Sequence, residues 1–362
     1  MNIIVVPDSF KGTLSATRVA GIAAEEIKKA IPSAQIKKIP VADGGEGTLD
    51  CFENITGGKR IACKVTGPNF QNVEAQFLMC GKTAVIESAQ ANGLPLANPK
   101  SAADTTTYGV GELIKKAAEQ GAEKFILGIG GSATNDCGCG MAAALGTKFI
   151  DKDGNEFVPT GATLGNIESI VFGKTYDITV LCDVTNPLYG ENGAAFVYAP
   201  QKGADKQQVL MLDRGLRHIA SVLEKYGKDV AGISGAGAAG GMGAGLIAFC
   251  NAKLKRGIEV VLDLAEFEES AMQADFIITG EGSLDSQSFS GKVIDGIIKR
   301  SQGKPVIAVV GISKLEDYAQ YGLTAVFESN ENHLPFEQIV TSTENDLRNC
   351  LKKTAEYIRK FQ

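Results

Sequence analysis

The chain has 362 residues, of which 44% are hydrophobic and 22% are charged, so it is long enough to form two domains with buried cores. Its net charge of −6 argues against a general nucleic-acid or anionic-membrane binder. No apolar run approaches the roughly 18 residues that a membrane-spanning helix needs. The first residues enter a strand without a basic, signal-like start, so we expect a cytoplasmic protein with no membrane partner.

The N-terminal region predicts two consecutive strand–helix pairs. The β-branched run 3–6 is typical of a buried parallel strand. A helix is expected over 15–30 because apolar residues recur there at helical spacing. A second strand at 35–41 leads into another helix. Each strand is followed by a loop that carries acids and glycines, at 8–12 and at 43–48.

The C-terminal region continues this alternation, with strands expected at 275–279, 306–310 and 324–327 and helices at 293–300 and 343–360. Both ends together give five alternating units, which predicts an open, parallel, doubly wound sheet of the flavodoxin-like kind. Ligands of such sheets bind beyond the carboxyl ends of the strands. The charged residues that follow predicted strands are Asp8, Lys11, Asp43, Glu46, Glu281 and Asp285.

The middle of the chain has a different pattern. Weak alternation at 59–65 and 73–87 predicts hairpin strands, and the stretches 109–120 and 204–226 predict helices. We therefore expect a discontinuous flavodoxin-like or Rossmann-like domain, 1–65 and 259–362, with a second, mixed α/β domain inserted at 66–258.

One glycine-dense segment joins an apolar strand at 125–127 to a run of strong helix-forming residues that begins at Met141. A strand, a glycine turn and a helix point backbone N–H groups and a positive helix end at an anion. The alternative is a compact strand–helix turn without a ligand. The candidate anion-binding residues are Gly130, Gly131, Ser132, Ala133, Thr134 and Asn135.

Three further loops combine acids with glycine or with a strand end. Asp43 and Glu46 suit magnesium binding or proton abstraction, although a tight turn with a capped helix would use the same residues. The segment 280–285 with Lys292 offers acids for a metal and a lysine for a phosphate, or a solvated lysine in a first helical turn. Asp183 ends a predicted strand and is either a general base, a metal ligand or part of an Asx-turn.

The sequence lacks the motifs of several familiar catalytic and nucleotide-binding sites. The chain has no Walker P-loop and no protein-kinase motif set, and its two histidines argue against a serine-type triad. Cys137 and Cys139 are interpreted as small loop residues and not as metal ligands. The glycine tract 234–245 has the Gly-x-Gly-x-x-Gly spacing but lacks a clear strand before it and an acid after it. A loop around a phosphate or an adenine is expected there instead of a Rossmann dinucleotide site.

Taken together, seven segments resemble the bacterial glycerate kinase family, type I. The resemblance runs in order over nearly the whole chain and is specific as a set, apart from cysteines at 137 and 139 where the family tends to have more glycine. It implies transfer of the γ-phosphoryl group of ATP to D-glycerate, usually at the 2-hydroxyl, and an active site between two α/β domains. The segments are 7–13, 43–48, 87–89, 130–136, 183–188, 237–241 and 279–285.

Phosphoryl transfer needs backbone donors, a cation and Mg²⁺ around the moving charge, and a carboxylate near the attacking hydroxyl. We accordingly expect Asp43, Asp183 and Lys11 to be catalytic, with Lys11 also binding substrate together with Asp8 and Ser9. Phosphate or nucleotide would be bound by the segment 130–135 and by Gly280, Gly282, Ser283 and Lys292, and metal by Glu46, Glu281 and Asp285. The alternatives are a nucleotide-linked dehydrogenase and a non-catalytic anion-binding module. The oligomeric state is left open, a homodimer included.

Overall fold

The computed structural model describes residues 1–42, 44–289 and 292–361. The chain folds as two compact units. Unit 1 contains residues 1–42, 50–57 and the C-terminal part from 258, and unit 2 contains 44–49 and 58–257. The domain boundaries expected from the sequence, at 65 and 258, stay a prediction about independently folding domains.

In chain order, the strands are β1 (Asn2–Pro7), β2 (Gln35–Lys38), β3 (Lys59–Thr66), β4 (Asn72–Cys80), β5 (Thr83–Glu87), β6 (Lys124–Gly128), β7 (Lys148–Ile150), β8 (Glu156–Phe157), β9 (Ser169–Val171), β10 (Asp177–Leu181), β11 (Lys253–Lys255), β12 (Phe276–Gly280), β13 (Ser283–Leu284), β14 (Val306–Val310), β15 (Ile312–Ser313) and β16 (Ala325–Glu328). The helices are α1 (Ala16–Ala30), α2 (Thr48–Thr56), α3 (Ala89–Asn92), α4 (Tyr108–Glu119), α5 (Cys139–Ala144), α6 (Ala194–Tyr198), α7 (Lys206–Glu224), α8 (Ala238–Cys250), α9 (Gly257–Leu264), α10 (Phe267–Gln273), α11 (Val293–Arg300), α12 (Phe336–Ile339) and α13 (Thr343–Arg359). Of the helices in the described ranges, none combines the length and the apolar character that a bilayer crossing demands.

Unit 1 is built on a five-stranded parallel sheet in the order β16-β14-β12-β1-β2. Val5 in β1 lies opposite Ile278 on one side and Lys38 on the other. Counted along the chain, the five strands have the flavodoxin-like order 2-1-3-4-5, which confirms the predicted fold class. The order reverses between β1 and β12, and ligands of open α/β sheets bind in the crevice at such a point.

The helix α1 shows why this unit could be predicted from local pattern. Ser15 caps the helix, since its hydroxyl accepts a hydrogen bond from the N–H of Arg18. Ile22 and Ile27 on its apolar face are buried in the core of unit 1 together with Leu351 from α13. The helix predicted at 15–30 is therefore confirmed.

Unit 2 is built on a six-stranded mixed sheet in the order β11-β10-β6-β5-β4-β3. The strands β5, β6, β10 and β11 are parallel, whereas β3 and β4 are antiparallel. In register, Gly128 at the end of β6 lies between Glu87 of β5 and Leu181 of β10. The glycine-dense segment that follows Gly128 therefore leaves the sheet at the shared carboxyl edge of three strands.

Three elements differ from their predictions. The strand expected at 73–87 is two strands, because Gly81 turns the chain with a positive φ of 60°. The segment after the glycine tract predicts a helix over 246–253, but the helix begins already at Ala238, after which the backbone from 239 to 241 is left-handed. The sequence also predicts a short helix at 315–321, but the structure has only a 3₁₀ turn there, Ala319–Tyr321. The Asp317 side chain accepts a hydrogen bond from the Ala319 N–H, and such local bonds compete with helix formation.

A buried carboxylate joins α4 to α5 in unit 2. The carboxylate of Asp136 accepts hydrogen bonds from the N–H and hydroxyl of Thr107 at 2.8 Å each, and from the N–H groups of Gly138 and Gly140 at 3.2 Å each. The Thr107 hydroxyl in turn accepts from the Met141 N–H at 2.8 Å. Burial raises the pKa of Asp136, and these four donors oppose that shift. The side chain is thus a structural anchor for the segment before α5.

Replacement of this anchor, Asp136→Asn, is expected to destabilise the protein by about 2–4 kcal/mol, because an amide nitrogen would face donors that are fully buried. Urea unfolding followed by circular dichroism measures the change. Asp153→Asn, at an exposed turn, is the control and should change stability by less than about 0.5 kcal/mol. Equal stability of the two variants would show that Asp136 is not an anchor.

Candidate functional site

In unit 1, the loops after β1 and β12 meet at the point where the strand order reverses. The N–H of Asp8 donates to the carbonyl of Gly280 at 2.8 Å, and the N–H of Ser9 donates to the Asp8 carboxylate at 2.6 Å. A Cβ placed on Gly282 would lie 3.7 Å from the backbone nitrogen of Lys11. The structure therefore brings the predicted substrate-binding residues and the 280–282 segment into one crevice.

Charged side chains surround Glu281 in this crevice. Burial raises the pKa of Glu281 and the charge of Asp285 raises it further, whereas a hydrogen bond with Ser288 and the charges of Lys292 and Lys11 lower it. Its Oε1 atom is buried and has no hydrogen-bond partner in the described part of the chain. Four of the residues predicted from the sequence thus act on one another electrostatically, and one carboxylate oxygen is left for a ligand or a water.

The acids of unit 1 are too few to hold a magnesium ion without further ligands from outside the protein. Across residues 1–42, 44–289 and 292–361, no group of three or more His, Cys, Asp or Glu residues could hold a metal. Mg²⁺ is usually held by one or two carboxylates together with substrate phosphates and waters. Glu281 and Asp285 provide such a pair. Glu46, also predicted as a metal ligand, belongs to unit 2 and is exposed.

The glycines of this crevice are required by close packing of the strand ends. A Cβ on Gly280 would clash with the carbonyl of Val309, and a Cβ on Gly311 would clash with the carbonyl of Gly282. Ser283, the predicted phosphate ligand, begins β13 and is exposed. The close packing fixes the backbone beside Glu281 on both sides.

In unit 2, two glycine-rich turns pack backbone against backbone. The N–H of Gly130 donates to the carbonyl of Gly44 at 2.9 Å. A Cβ on Gly130 would lie 2.7 Å from the Cα of Gly45, and a Cβ on Gly44 would lie 2.8 Å from the Cβ of Leu181. Only glycine allows this approach, so the two predicted loops lie in contact. Asp43, the predicted catalytic acid in the first loop, lies outside the described residues.

The segment from Gly131 to Asn135 presents backbone donors that the protein leaves unused. The Gly130 N–H is occupied by Gly44, and the Ala133 N–H donates to the carbonyl of Asn92 at 2.8 Å. The N–H groups of Gly131, Ser132, Thr134 and Asn135 have no acceptor among the residues that the structure describes. Because residues 132–135 are buried and buried N–H groups are nearly always paired, these donors await a ligand or water. We name residues 131–135 the anion loop.

Side chains beside the anion loop are also unsatisfied. Both polar atoms of the fully buried Asn135 side chain, Oδ1 of Asn92 and Oγ of Ser88 lack a partner within the described ranges. Ser88 and Asn92 flank and end α3, which is tied to the loop because the Leu94 N–H donates to the carbonyl of Gly131 at 2.8 Å. Buried polar groups of this kind are normally satisfied by a ligand or an ordered water. Neither Ser88 nor Asn92 was predicted as a site residue, although Ser88 lies in the segment 87–89 that contributes to the family resemblance.

The glycine tract 234–245 supports the anion loop from the other side. A Cβ on Gly240 would clash with the carbonyl of Thr134, and the carbonyl of Gly240 accepts from the Cys137 N–H at 3.2 Å. These contacts show that Gly240 is required by close packing, and the loop around a phosphate or an adenine expected in this tract stays a prediction. Cys137 and Cys139 are fully buried and burial raises the pKa of both thiols, so they are inert small residues of this support.

A buried cation lies at the anion loop as well. Lys202 donates through Nζ to the Ser132 hydroxyl at 3.1 Å and to the Thr134 carbonyl at 2.7 Å. No sequence pattern marks this residue, because its spacing of about 70 residues from its partners forms no local motif. The loop therefore combines unused N–H donors with a positive charge.

Asp183 has a structural partner. It follows β10 and is exposed, and its Oδ1 accepts a hydrogen bond at 2.9 Å from the N–H of Gly257, the first residue of α9. A carboxylate at this position satisfies an N–H group that the helix itself cannot pair. This contact joins Asp183 to a residue 74 positions later in the chain, and its role as general base, metal ligand or part of an Asx-turn stays a prediction.

Comparisons with known proteins agree on one family. The model of the glycerate kinase family matches residues 3–359. The chain is 45% identical over 343 residues to a protein named glycerate 2-kinase from Escherichia coli K12, and 44% identical over 341 residues to a protein named glycerate kinase from Halalkalibacterium halodurans, in each case covering 90% of both chains. A crystal structure provisionally named glycerate kinase 2, from Salmonella typhimurium LT2, superposes with a TM-score of 0.87 and 40% identity over 100% of this chain and 99% of that one.

The packed glycine turns of unit 2 can be tested with two matched substitutions. Gly44 and Gly47 both have a positive φ, +86° and +89°, but a Cβ meets atoms within 4 Å only at Gly44. Both variants should carry backbone strain of about 1–2 kcal/mol. Gly44→Ala should lose a further 1–3 kcal/mol or so through overpacking against Leu181. Urea unfolding of Gly44→Ala and Gly47→Ala measures the difference, and equal losses would contradict the packing.

Proposed function

Because the chain belongs to the glycerate kinase family and is therefore a kinase that phosphorylates glycerate, we propose that it transfers the γ-phosphoryl group of ATP to the 2-hydroxyl of D-glycerate, giving 2-phosphoglycerate. The observation that carries the proposal is the anion loop, in which the N–H groups of Gly131, Ser132, Thr134 and Asn135 have no acceptor in the described part of the chain. Membership of a kinase family removes the dehydrogenase and the non-catalytic binding module as alternatives.

The anion loop supports phosphate binding in unit 2. In phosphoryl transfer, charge is spread over the oxygens of the migrating group, so fixed donors aimed at those oxygens lower the barrier. The N–H groups of Gly131, Ser132, Thr134 and Asn135 are such donors. Asp136 and the glycine tract hold them in place before any ligand arrives, so little reorganisation is needed on binding.

The crevice of unit 1 supplies the complementary charges in this proposal. Asp8 and Ser9 bind the hydroxyls of glycerate, and Lys11 binds its carboxylate or stabilises the transition state. Glu281 and Asp285 would hold Mg²⁺ together with the nucleotide phosphates, and Gly280, Gly282, Ser283 and Lys292 contribute to phosphate binding. When bound, Mg²⁺ neutralises part of the phosphate charge. The cytoplasmic location and the oligomeric state stay predictions.

The acid that accepts the proton of the attacking hydroxyl is proposed to be Asp43 or Asp183, and the other would bind metal. Asp183 lies at the carboxyl edge of the sheet in unit 2, next in register to the start of the glycine-dense segment. Its bond to Gly257 fixes the carboxylate through one oxygen. A base held in this way keeps its orientation toward a bound hydroxyl.

The reaction can be tested directly. Purified protein with ATP, Mg²⁺ and D-glycerate should form ADP and 2-phosphoglycerate, and ³¹P and ¹H NMR would identify the position of the phosphate. L-Glycerate is the stereochemical control. Formation of 3-phosphoglycerate would contradict the proposed hydroxyl, and absence of turnover under these conditions would contradict the proposed reaction.

The two acids can be separated by kinetics. The variant that removes the base, among Asp43→Asn and Asp183→Asn, should lower kcat by about 10²–10⁴-fold, whereas loss of a metal ligand should mainly raise the Mg²⁺ concentration needed for half-maximal rate. Asp153→Asn serves as the control for an exposed carboxylate. If both variants keep a normal kcat and a normal Mg²⁺ dependence, neither residue has the proposed role.

A further inference from the structure

Lys202 is placed where a charged side chain is costly. It ends the 3₁₀ turn Pro200–Lys202 between α6 and α7, and only 2% of it is exposed. Its Nζ donates to the hydroxyl of Ser132 at 3.1 Å and to the carbonyl of Thr134 at 2.7 Å. Both partners are neutral, and both belong to the anion loop. The side chain therefore reaches the anion loop directly.

Among the described residues, few negatively charged groups offset the positive charge of Lys202. Within the described ranges, its nitrogen has no Asp or Glu oxygen at ion-pair distance. Burial lowers the pKa of Lys202 to about 7, and the charge of Asp136 acts in the opposite direction. Ionisable residues on adjoining elements include Tyr198, whose hydroxyl donates to Asn186, Asp205 and Lys206 at the start of α7, and Lys100, whose backbone abuts Gly203.

The surroundings of the ammonium group indicate what would compensate it. The loop to which it is bonded has four N–H groups without an acceptor in the described ranges. The buried Asn135 side chain beside Thr134 is also unpartnered there. Donors and a cation meet at one loop, and the carboxylate of Asp136, which acts on the cation, already accepts four hydrogen bonds. An oxyanion is the group that satisfies all of them.

We propose that Lys202 is a positioning residue that supplies the buried positive charge of the anion loop and makes oxyanion binding there depend on its protonation. The inference deepens the proposed function, on which it rests for the source of the oxyanion: a phosphate of ATP or the carboxylate of D-glycerate. Through its two bonds Lys202 also holds Ser132 and Thr134 in the orientation that leaves their N–H groups available.

The sign of the pH effect follows from linkage. An anion near the ammonium group favours the charged form and raises the pKa of Lys202 above its value of about 7 in the free protein. At pH 8 the free side chain is mostly neutral, so binding draws a proton from solution. Below pH 6 it is already charged and no proton is taken up. The affinity for the anion should accordingly fall as the pH rises above 7.

Isothermal titration calorimetry at pH 8, in two buffers with different ionisation enthalpies, measures this proton directly. Mg·ATP and D-glycerate are titrated separately, which distinguishes the two sources of the oxyanion. Wild-type protein should take up as much as one proton with one of them. The proton uptake attributed to Lys202 should be absent from Lys202→Met. This variant should also bind the same ligand about 10- to 100-fold more weakly than wild-type protein. Lys206→Met, an exposed lysine at the start of α7, should behave like wild type.

Two results would overturn the inference. One is wild-type binding of both ligands at pH 8 without proton uptake, a measurement that needs no variant and does not depend on how Lys202→Met folds. The other is a folded Lys202→Met protein, checked by its thermal unfolding, that keeps wild-type affinity and proton uptake. A purely structural lysine would change stability but not the number of protons.

Failure of the inference is distinguishable from failure of the proposed function. If glycerate is phosphorylated but Lys202→Met binds like wild type, only the inference falls. If no turnover occurs, inorganic phosphate is titrated in place of the substrates. Weaker phosphate binding and the loss of proton uptake in Lys202→Met would then still support a buried charge at Lys202. Equal phosphate binding by the wild-type and Lys202→Met proteins would contradict it.

Discussion

The carboxylate of Asp136 is the interaction on which the anion loop depends. Four donors converge on it and tie the start of α5 to Thr107 at the start of α4. Asp136 closes the loop at one end and the Gly130–Gly44 hydrogen bond closes it at the other. Of the residues from Gly131 to Asn135, only Ala133 donates its N–H to a protein acceptor within the described ranges. The unpaired backbone N–H groups of the anion loop therefore stay available for a ligand.

The glycines around the anion loop allow close backbone packing, which makes the loop rigid and not flexible. Gly44 and Gly130 allow two turns to pack backbone on backbone, and Gly240 allows the glycine tract to reach the carbonyl of Thr134. A side chain at any of these positions would separate the layers that support the loop. The chemistry expected of a phosphoryl-transfer enzyme, which is mostly positioning and fixed electrostatics, is consistent with such a scaffold.

The sequence was most informative where structure is set locally. The helix α1, the helix α11 and the strand β14 follow from apolar periodicity and helix capping, and the alternation of strands and helices was sufficient to predict the flavodoxin-like sheet. Lys202 and Asn92 could not be predicted, because their importance comes from contacts with Ser132 and the anion loop across 70 and about 40 residues. For the same reason the sequence could not show that Gly240 of the glycine tract packs against the carbonyl of Thr134, while the expected ligand loop in this tract stays a prediction.

Each unit carries part of the chemistry that the proposed reaction needs: a carboxylate pair with lysines in unit 1, and donors with a buried cation in unit 2. The central claim is that the anion loop binds an oxyanion. A crystal structure with a non-hydrolysable ATP analogue, Mg²⁺ and D-glycerate tests it most directly. Phosphate or carboxylate oxygens should lie within hydrogen-bond distance of the N–H groups between Gly131 and Asn135. Both ligands bound elsewhere, with those N–H groups paired only to water, would contradict the account.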